Sequence, residues 1–157
     1  MDFLSLGTEQ EEYMISLRRY LHQHPELSRE EDKTVAMICR ELEENGITFV
    51  DVPNGGVFGF LGSEQKGRTV LLRADIDALP VQESDVNEGG QPKTVVSAVE
   101  HVAHVCGHDA HTAMLLGAAR ALKQHENELE GRIILMFERG EEGGGNIAYL
   151  FKWLFDH

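Results

Sequence analysis

The sequence predicts an α/β fold, because apolar strands and amphipathic helices both occur along its 157 residues. Two short segments are apolar almost throughout, as in strands that are covered on both faces of a sheet. Each of them leads directly into acidic residues. In open α/β sheets ligands collect beyond the carboxyl ends of strands, so these acidic residues are candidates for a functional site. The length suits one domain with its own core.

Two amphipathic helices are predicted at the start of the chain. The first covers residues 8–21 and places apolar side chains on one stripe. The second follows Ser28-Arg-Glu-Glu31, a capping-box pattern in which Ser28 caps the helix, and it stops at Gly46. Its apolar stripe consists of Val35, Ile38, Cys39 and Leu42.

Four strands are predicted in the chain. Thr48–Val52 and Val57–Leu61 are rich in apolar and β-branched residues and flank the turn sequence Pro53-Asn-Gly-Gly56. Thr69–Ala74 and Arg132–Phe137 are the two nearly continuous apolar segments, so we expect each of them to be covered on both faces.

A long loop precedes the third helix. Residues 82–105 have no clean period, although residues 95–105 are a candidate strand within them. Loops of this length are uncommon unless they are functional or disordered. The third helix begins at Asp109 or Thr112 and ends near Gln124, and its lack of a polar face predicts that it is buried.

A fourth helix with an apolar stripe is predicted near the end of the sequence. Asn146 is expected to cap it. The stripe consists of Ile147, Leu150, Phe151 and Leu154. We expect the same helix to expose Trp153 and Phe155, and such an apolar edge favours a homo-oligomer.

Composition restricts the function classes. Acidic residues number 27 against 14 basic ones, and the resulting net charge of −13 argues against nucleic acid and anionic membranes as partners. No apolar run approaches the roughly 20 residues that a membrane-spanning helix needs. Two cysteines are too few for a disulfide framework, and the first residues lack the pattern of a signal peptide. We therefore expect a cytoplasmic protein in a reducing compartment.

The most informative stretch runs from His101 to His111. It holds four of the eight histidines and one of the two cysteines, and neutral imidazoles with a deprotonated thiol are what zinc-like ions require. Cys106 and His108 are therefore candidate ligands of a metal half-site. Further candidates flank them, namely His104, Asp109 and His111. Two alternatives remain, in which Cys106 is a nucleophile with a histidine as its base, or the histidines form an ordinary loop cluster.

Acidic residues follow both of the apolar strands. Asp75 and Asp77 follow the first, either as site residues or as simple caps of the next turn. The second is followed by Glu138, Glu141, Glu142 and Gly143-Gly-Gly145. Neighbouring carboxylates in such a place can divide labour, since one can bind an ion while the other acts as a general base on water. An exposed acidic turn is the alternative, and neither a phosphate loop nor a serine nucleophile elbow is present.

Four segments of the chain resemble the M20 metallopeptidase superfamily, in particular the amidohydrolase branch that includes aminoacylases, hippurate hydrolases and auxin-conjugate hydrolases. They are Leu17-Arg-Arg-Tyr-Leu-His-Gln-His-Pro-Glu-Leu-Ser28, Arg73-Ala-Asp-Ile-Asp-Ala-Leu-Pro80, His104-Val-Cys-Gly-His-Asp-Ala-His-Thr-Ala-Met-Leu-Leu-Gly117 and Gly140-Glu-Glu-Gly143. The resemblance implies a three-layer α/β/α catalytic domain of the zinc-peptidase type. It also implies two divalent ions, of zinc, manganese, cobalt or nickel, at the carboxyl edge of the sheet.

The resemblance implies a role for each matching residue. The metal ligands would be the Cys106 thiolate, the His108 imidazole and the Glu142 carboxylate. Glu141 would be the general base that takes a proton from water before the attack on the amide carbonyl of an N-acyl amino acid or small peptide. Asp77, the second catalytic residue of this prediction, and Asp75 would orient the site. His104 and His111 are expected to make structural hydrogen bonds.

The chain also departs from the family pattern. Phe137-Glu-Arg-Gly140 stands where the family usually has Phe-Gln-Pro-Ala, and the loop before His104 is enlarged. Residues 1–157 would form a partial catalytic domain, because family members continue with two further histidine ligands, a smaller dimerisation domain and the rest of the sheet. His157 lies too close to the glutamate pair to replace a missing ligand. The alternative to a hydrolase is therefore a non-catalytic fragment that binds metal weakly or not at all.

Overall fold

The computed structural model describes residues 2–144 and 146–157. Gly145, part of the predicted glycine turn, lies outside these residues. The helices are α1 (Phe3–Glu9), α2 (Glu11–Gln23), α3 (Asp32–Glu44), α4 (His108–Gln124) and α5 (Ile147–Asp156). The strands are β1 (Thr48–Val52), β2 (Gly56–Gly62), β3 (Arg68–Asp75) and β4 (Gly131–Glu138), and the 3₁₀ turns are Glu64–Lys66 and Glu126–Glu128.

The four strands form one mixed sheet in the order β1-β2-β4-β3. β1 and β4 are antiparallel to β2, whereas β3 and β4 are parallel to each other. In the parallel pair Asp75 lies opposite Glu138. The sheet register therefore brings the acidic residues after both strands to the same edge, as the sequence predicted.

Helices cover both faces of this sheet. Leu135 and Phe137 of β4 belong to the core formed with α2, α3 and α4. Ile134 and Met136, which alternate with them, pack with Leu150 of α5 on the other face. Because successive side chains of a strand point to opposite faces, β4 is covered on both sides. The arrangement confirms the predicted α/β class.

The first predicted helix is two helices. The chain breaks at Gln10, where φ is −95° and ψ is 0°, and the Gln10 amide donates to the Gly7 carbonyl. α2 then continues to Gln23, two residues beyond the predicted end. The Gln10 side chain is buried, so the break packs against the core rather than lying in solvent.

The predicted capping box is wrong, although the helix that follows it is present. α3 begins at Asp32, and its first amides are capped by Glu26, which accepts hydrogen bonds from the amides of Lys33 and Thr34. Ser28 instead donates to Asp77. Glu31 is fully buried, and its carboxylate accepts from the Arg29 amide and pairs with a guanidinium from another segment instead of forming the predicted box with Ser28.

Strand β3 is not covered on both faces. It lies at the edge of the sheet with β4 as its one neighbour, and Val70 and Leu71 are 51% and 37% exposed. Beside it lies an open apolar groove of about 840 Å³. Residues of β3, β4, α4 and the first two helices line this groove, among them Leu6, Met14, Val70, Leu72, Met114 and Ile133.

Three smaller expectations also fail. Residues 95–105 contain no strand in the structure, and Ala103 makes an isolated bridge to Leu79. Asn146 precedes α5 but its side chain donates to the Asn54 carbonyl instead of capping the helix. Trp153 is half-buried because its ring packs 5.3 Å from that of Phe58.

The other predictions of local structure hold. α4 begins at His108, one residue before the first predicted position, and is buried along most of its length. Phe155 is exposed, as expected. Among the residues that the structure describes, no helix combines the length and the apolar character that a membrane crossing requires.

We predict that Gly56→Ala strongly destabilises the fold. Gly56 pairs with Glu138, has a φ of +128°, and an added Cβ would collide with the carbonyl oxygen of Phe137. We expect a loss of about 3 kcal/mol or more in the free energy of unfolding, measured by urea titration. Gly7→Ala is the matched control, because nothing lies near its added Cβ and alanine favours the helix by about 0.5–1 kcal/mol. Equal stabilities of the two variants would contradict this account of β2 and β4.

Candidate metal centre

Three segments meet at the carboxyl edge of the sheet. One donor atom each from Cys106, His108 and Glu142 lie within 4.8 Å of one another. Metal–ligand bonds of about 2.0–2.3 Å place the ligands of one ion within roughly 4.6 Å of each other. The three predicted ligands are therefore close to binding distance, on the loop before α4, at the start of α4 and in the turn after β4.

The ring of His108 has a defined orientation. Nδ1 lies 2.9 Å from the Asp77 carbonyl oxygen and 3.2 Å from its carboxylate oxygen Oδ1. Two acceptors on one nitrogen require that Nδ1 carries a proton, and this leaves the lone pair of the neutral ring on Nε2. Nε2 faces the acidic cluster, at 3.9 Å from a carboxylate oxygen of Glu142. This is the tautomer that a metal-binding histidine uses when a carboxylate holds its other nitrogen.

Nearby carboxylates also favour protonated His108. Burial of the ring opposes its positive charge, but the hydrogen bond to Asp77 and the charges of Asp75 and Asp77 outweigh burial and raise the pKa of His108. A metal cation bound at Nε2 would be stabilised by the same negatively charged carboxylates. Metal binding at this position therefore competes with a proton.

Asp77 connects the elements of the centre. Its buried carboxylate accepts hydrogen bonds from the Ser28 hydroxyl (2.5 Å) and the Glu142 amide (3.0 Å), in addition to its contact with His108. Burial opposes the charge, but these donors outweigh burial and lower the pKa of Asp77. Asp77 therefore stays ionised and orients its neighbours, while its second role as a catalytic residue remains a prediction.

The Glu141–Glu142 turn is fixed from the opposite side by Glu31. The buried Glu31 carboxylate accepts from the Gly140 amide at 2.7 Å and from Arg139 Nε at 2.9 Å. Arg139 belongs to the segment in which the sequence departs from the family pattern. The residues that depart from the family pattern therefore have a structural partner, because Arg139 and the Gly140 amide both donate to the buried Glu31 carboxylate.

The surroundings of Cys106 do not suit a nucleophilic cysteine. A hydrogen bond to Glu142 and the charges of the nearby carboxylates raise the pKa of the Cys106 thiol. An activated nucleophile requires the opposite shift, toward the thiolate. A divalent cation would reverse the local charge and make the thiolate available, so the geometry favours ligation.

Asp75 and His111 form a second group that shares His108. The ligand atoms of these three residues also lie within 4.8 Å of one another. His111 Nδ1 lies 2.6 Å from Asp75 Oδ1, which agrees with the structural hydrogen bond expected for His111. Glu138, in contrast, forms an ion pair with Arg73, whose Nε lies 2.6 Å from Glu138 Oε2.

His104 contradicts the expected structural hydrogen bond. Its side chain is buried, and neither ring nitrogen has a partner among the described residues. Burial lowers the pKa of His104 to about 4, so the ring is neutral at pH 7. A buried polar ring without a hydrogen-bond partner costs free energy, so His104 is a polar group that the described residues leave unsatisfied.

Two residues that sequence reasoning did not single out support Asp109. His22 is buried between Asp109, 2.7 Å from Nδ1, and Glu83, 3.0 Å from Nε2. Arg18 Nε also lies 2.9 Å from Asp109. Asp109 therefore holds the start of α4 in place rather than facing the centre. No spacing rule predicts pairs that are 61 and 87 residues apart.

Two other histidines lie outside the centre. His101 is exposed and next to Glu100. His157 stacks on Trp153 and its Nδ1 lies 3.0 Å from the Trp153 carbonyl oxygen, so it does not replace a missing ligand.

The donor set fits a first-row divalent ion. A thiolate, an imidazole nitrogen and a carboxylate oxygen are ligands of zinc, and a carboxylate-rich surrounding also accepts manganese, cobalt or nickel. Three ligands from this chain make a half-site, since structural zinc sites use four protein ligands and two ions need more.

Comparison with known proteins agrees with this geometry. Residues 71–157 match the peptidase family M20/M25/M40, which is more than half of the chain. The chain belongs to this peptidase family. Within the matched residues lie α4, β4, the carboxyl-terminal part of β3 and every candidate ligand named above.

Relatives in the M20 family are longer than this chain. IAA-amino acid hydrolase ILR1-like 5 from Arabidopsis thaliana is 42% identical over 146 residues, which are 91% of this chain and 32% of the relative. N-acetyl-L-cysteine deacetylase from Bacillus subtilis (strain 168) is 45% identical over 143 residues, which are 90% of this chain and 33% of the relative. The chain thus spans about a third of the length of these relatives.

Solved structures show the same fold. The Bacillus subtilis YXEP protein, described as a dinuclear metal binding peptidase from the M20 family, gives a TM-score of 0.73 at 40% identity and covers 88% of this chain and 36% of its own. A structure from methicillin resistant Staphylococcus aureus gives a TM-score of 0.85 at 32% identity and covers 99% of this chain and 41% of its own.

We predict that Asp77→Asn weakens metal binding. The substitution removes the negative charge beside His108 Nδ1 and leaves the Asp77 carbonyl oxygen as its acceptor, so the imidazole becomes a weaker metal ligand. Loss of such a supporting carboxylate typically costs about 10–100-fold in metal affinity. Competition with a fluorescent zinc chelator measures the change, and Asp51→Asn, at an exposed position of β1, is the charge-matched control. An affinity equal to that of the control would contradict the role given to Asp77.

We also predict that Glu83 makes stability depend on pH. Burial opposes its charge, but Lys93, the Ser97 amide and His22 outweigh burial and lower the pKa of Glu83 from 4.5 to about 2. Because the folded pKa is the lower one, ionised Glu83 stabilises the fold above pH 4.5, and this contribution is lost as the pH falls toward 2. Glu83→Gln should cost about 2–3 kcal/mol at pH 7 and much less near pH 2.5, in urea titrations.

The control for this measurement is Glu88→Gln, an exposed position in the same loop. It should leave the free energy of unfolding nearly unchanged at both pH values. A constant difference between Glu83→Gln and wild type across this range would show that the Glu83 carboxylate is not preferentially ionised in the folded protein.

Proposed function

We propose that the chain is the catalytic portion of a metal-dependent amidohydrolase that cleaves the amide between an acyl group and an amino acid. The observation that carries the proposal is the convergence of Cys106, His108 and Glu142, with Glu141 beside them, at the carboxyl edge of the sheet. Membership of the peptidase family and the hydrolase and deacetylase names of its relatives support it. Small N-acyl amino acids or peptides are the proposed substrates.

The three converging residues would hold one of two divalent ions. Cys106 and Glu142 supply anionic ligands, and His108 supplies Nε2 because Asp77 holds Nδ1. When bound, a divalent ion supplies Lewis acidity for activating water and for stabilising negative charge on a carbonyl oxygen. The thiolate favours zinc, whereas the many carboxylates suit manganese, cobalt or nickel.

Glu141 is the proposed general base. A carboxylate oxygen of Glu141 lies 3.9 Å from His108 Nε2, and the side chain makes no hydrogen bond among the described residues. The Glu141 carboxylate therefore lies beside the candidate ligands without a hydrogen-bond partner among the described residues, whereas the carboxylates of Glu138 and Asp77 have partners. A carboxylate in this position can take a proton from an attacking water and return it to the leaving amine.

The alternative proposal is a chain that does not catalyse the reaction by itself. Three ligands do not complete two metal shells, and the chain spans about a third of the length of its relatives. In this case additional polypeptide, or a second copy in a homo-oligomer, completes the centre and covers exposed apolar surface such as the edge strand β3 or Phe155 of α5. A cytoplasmic, reducing compartment belongs to both proposals, because Cys106 must remain a thiol to bind an ion.

We predict that Glu141→Gln removes activity but not metal. Hydrolysis of N-acetyl amino acids is measured with added zinc or manganese, and metal content is measured on the same samples. Glu141→Gln should lower the rate by about 10²–10⁴-fold, since it removes the base alone. Glu142→Gln should lower both the rate and the metal content, because it removes a ligand.

Glu88→Gln is the control, because it removes an exposed carboxylate outside the centre. A wild-type chain that binds metal but hydrolyses no substrate would support the non-catalytic alternative. Equal activity of wild type and Glu141→Gln would remove the proposed base.

A further inference from the structure

A polar pocket lies between α2 and the long loop before α4, outside the predicted ligand set. Its volume is about 360 Å³. Its lining consists of Arg18, Arg19, His22, Asn87, Pro92, Lys93, Thr94 and Val95. The proposed amidohydrolase function does not use this pocket.

The charge of the lining is opposite to that of the whole chain. The protein carries a net charge of −13, yet three cationic side chains and no carboxylate line the pocket. Arg18 and Arg19 come from α2, whereas Lys93 comes from a loop more than 70 residues later. A positive concave patch on an acidic protein concentrates small anions and excludes large polyanions, which the rest of the surface repels.

Buried carboxylates behind the lining hold two of the cations in place. Glu83 lies 2.9 Å from Lys93 Nζ, and Asp109 lies 2.9 Å from Arg18 Nε. His22 joins the two carboxylates. The cations are thus fixed before any ligand arrives, which lowers the entropy cost of binding.

The remaining donors of the lining are free. The exposed Arg19 guanidinium makes no ion pair within the described part of the chain, and the amides of Thr94 and Val95 donate to no acceptor there. The Asn87 side-chain oxygen accepts from the Gln91 backbone amide, whereas the Asn87 side-chain nitrogen Nδ2 has no acceptor in residues 2–144 and 146–157. Guanidinium and amide donors without acceptors are what an oxyanion requires.

We propose that this pocket binds a small phosphate, either the inorganic ion or the phosphate of a small monoester. Arg19 provides the uncompensated charge, and a guanidinium binds phosphate oxygens in a bidentate manner. Arg18, Lys93 and the loop amides provide further hydrogen-bond donors on several sides of the pocket. This arrangement suits a tetrahedral oxyanion better than a planar carboxylate. The pocket shares no lining residue with the candidate metal centre.

Titration with inorganic phosphate at low ionic strength, followed by the amide resonances of the protein, tests this proposal. We expect saturable shifts centred on Thr94 and Val95, with acetate binding more weakly. Arg19→Gln should weaken phosphate binding by at least about tenfold. Arg40→Gln, an exposed arginine of α3, is the charge-matched control and should bind as wild type does.

A parallel titration of Cys106→Ser separates this pocket from the metal centre. Phosphate that binds a metal ion at the centre would be lost in Cys106→Ser, whereas binding in the pocket persists. A phosphate monoester that binds more tightly than inorganic phosphate would identify a metabolite as the ligand, and equal affinities would identify the inorganic ion. Absence of saturable shifts at residues 94–95, or equal weakening by Arg19→Gln and Arg40→Gln, would overturn the proposal.

Discussion

The contact between Asp77 and His108 is the constraint on which the candidate centre depends. Asp77 follows the edge strand β3, and its carboxylate joins His108 of α4, the Glu142 amide after β4 and the Ser28 hydroxyl after α2. One buried anion thus aligns the segments that carry two predicted ligands. Because a buried carboxylate must satisfy its lone pairs, the arrangement is specified by polar contacts rather than by apolar packing alone.

Much of the fold could be predicted from the sequence, because its signals are local. The apolar segments of β3 and β4, the turn between β1 and β2, and the stripe of α3 each lie within a few consecutive residues. Prediction failed where a residue of a local pattern forms its hydrogen bond with a residue that is distant in the sequence. Ser28 has the right spacing for a cap, but its hydroxyl donates to the distant, buried Asp77 carboxylate, and the nearby Glu26 caps α3 instead.

The candidate ligands could be proposed from residue type and family resemblance, whereas the contacts that support them could not. Glu31 reaches Gly140 across 109 positions, and His22 reaches Asp109 across 87. The phosphate pocket is likewise assembled from charges that are dispersed along the sequence. The sequence also did not predict that β3 is an edge strand, because an apolar strand can have the same composition with one or two neighbouring strands.

The most direct test of the account is a titration of the purified chain with Co²⁺, followed by absorption, in wild type and Cys106→Ser. The account predicts a stoichiometric complex with a thiolate-to-metal charge-transfer band in wild type. In Cys106→Ser the band should disappear and the affinity should fall. An identical titration of both proteins, or tight binding without a thiolate band, would show that Cys106 is not a ligand and would contradict the central claim.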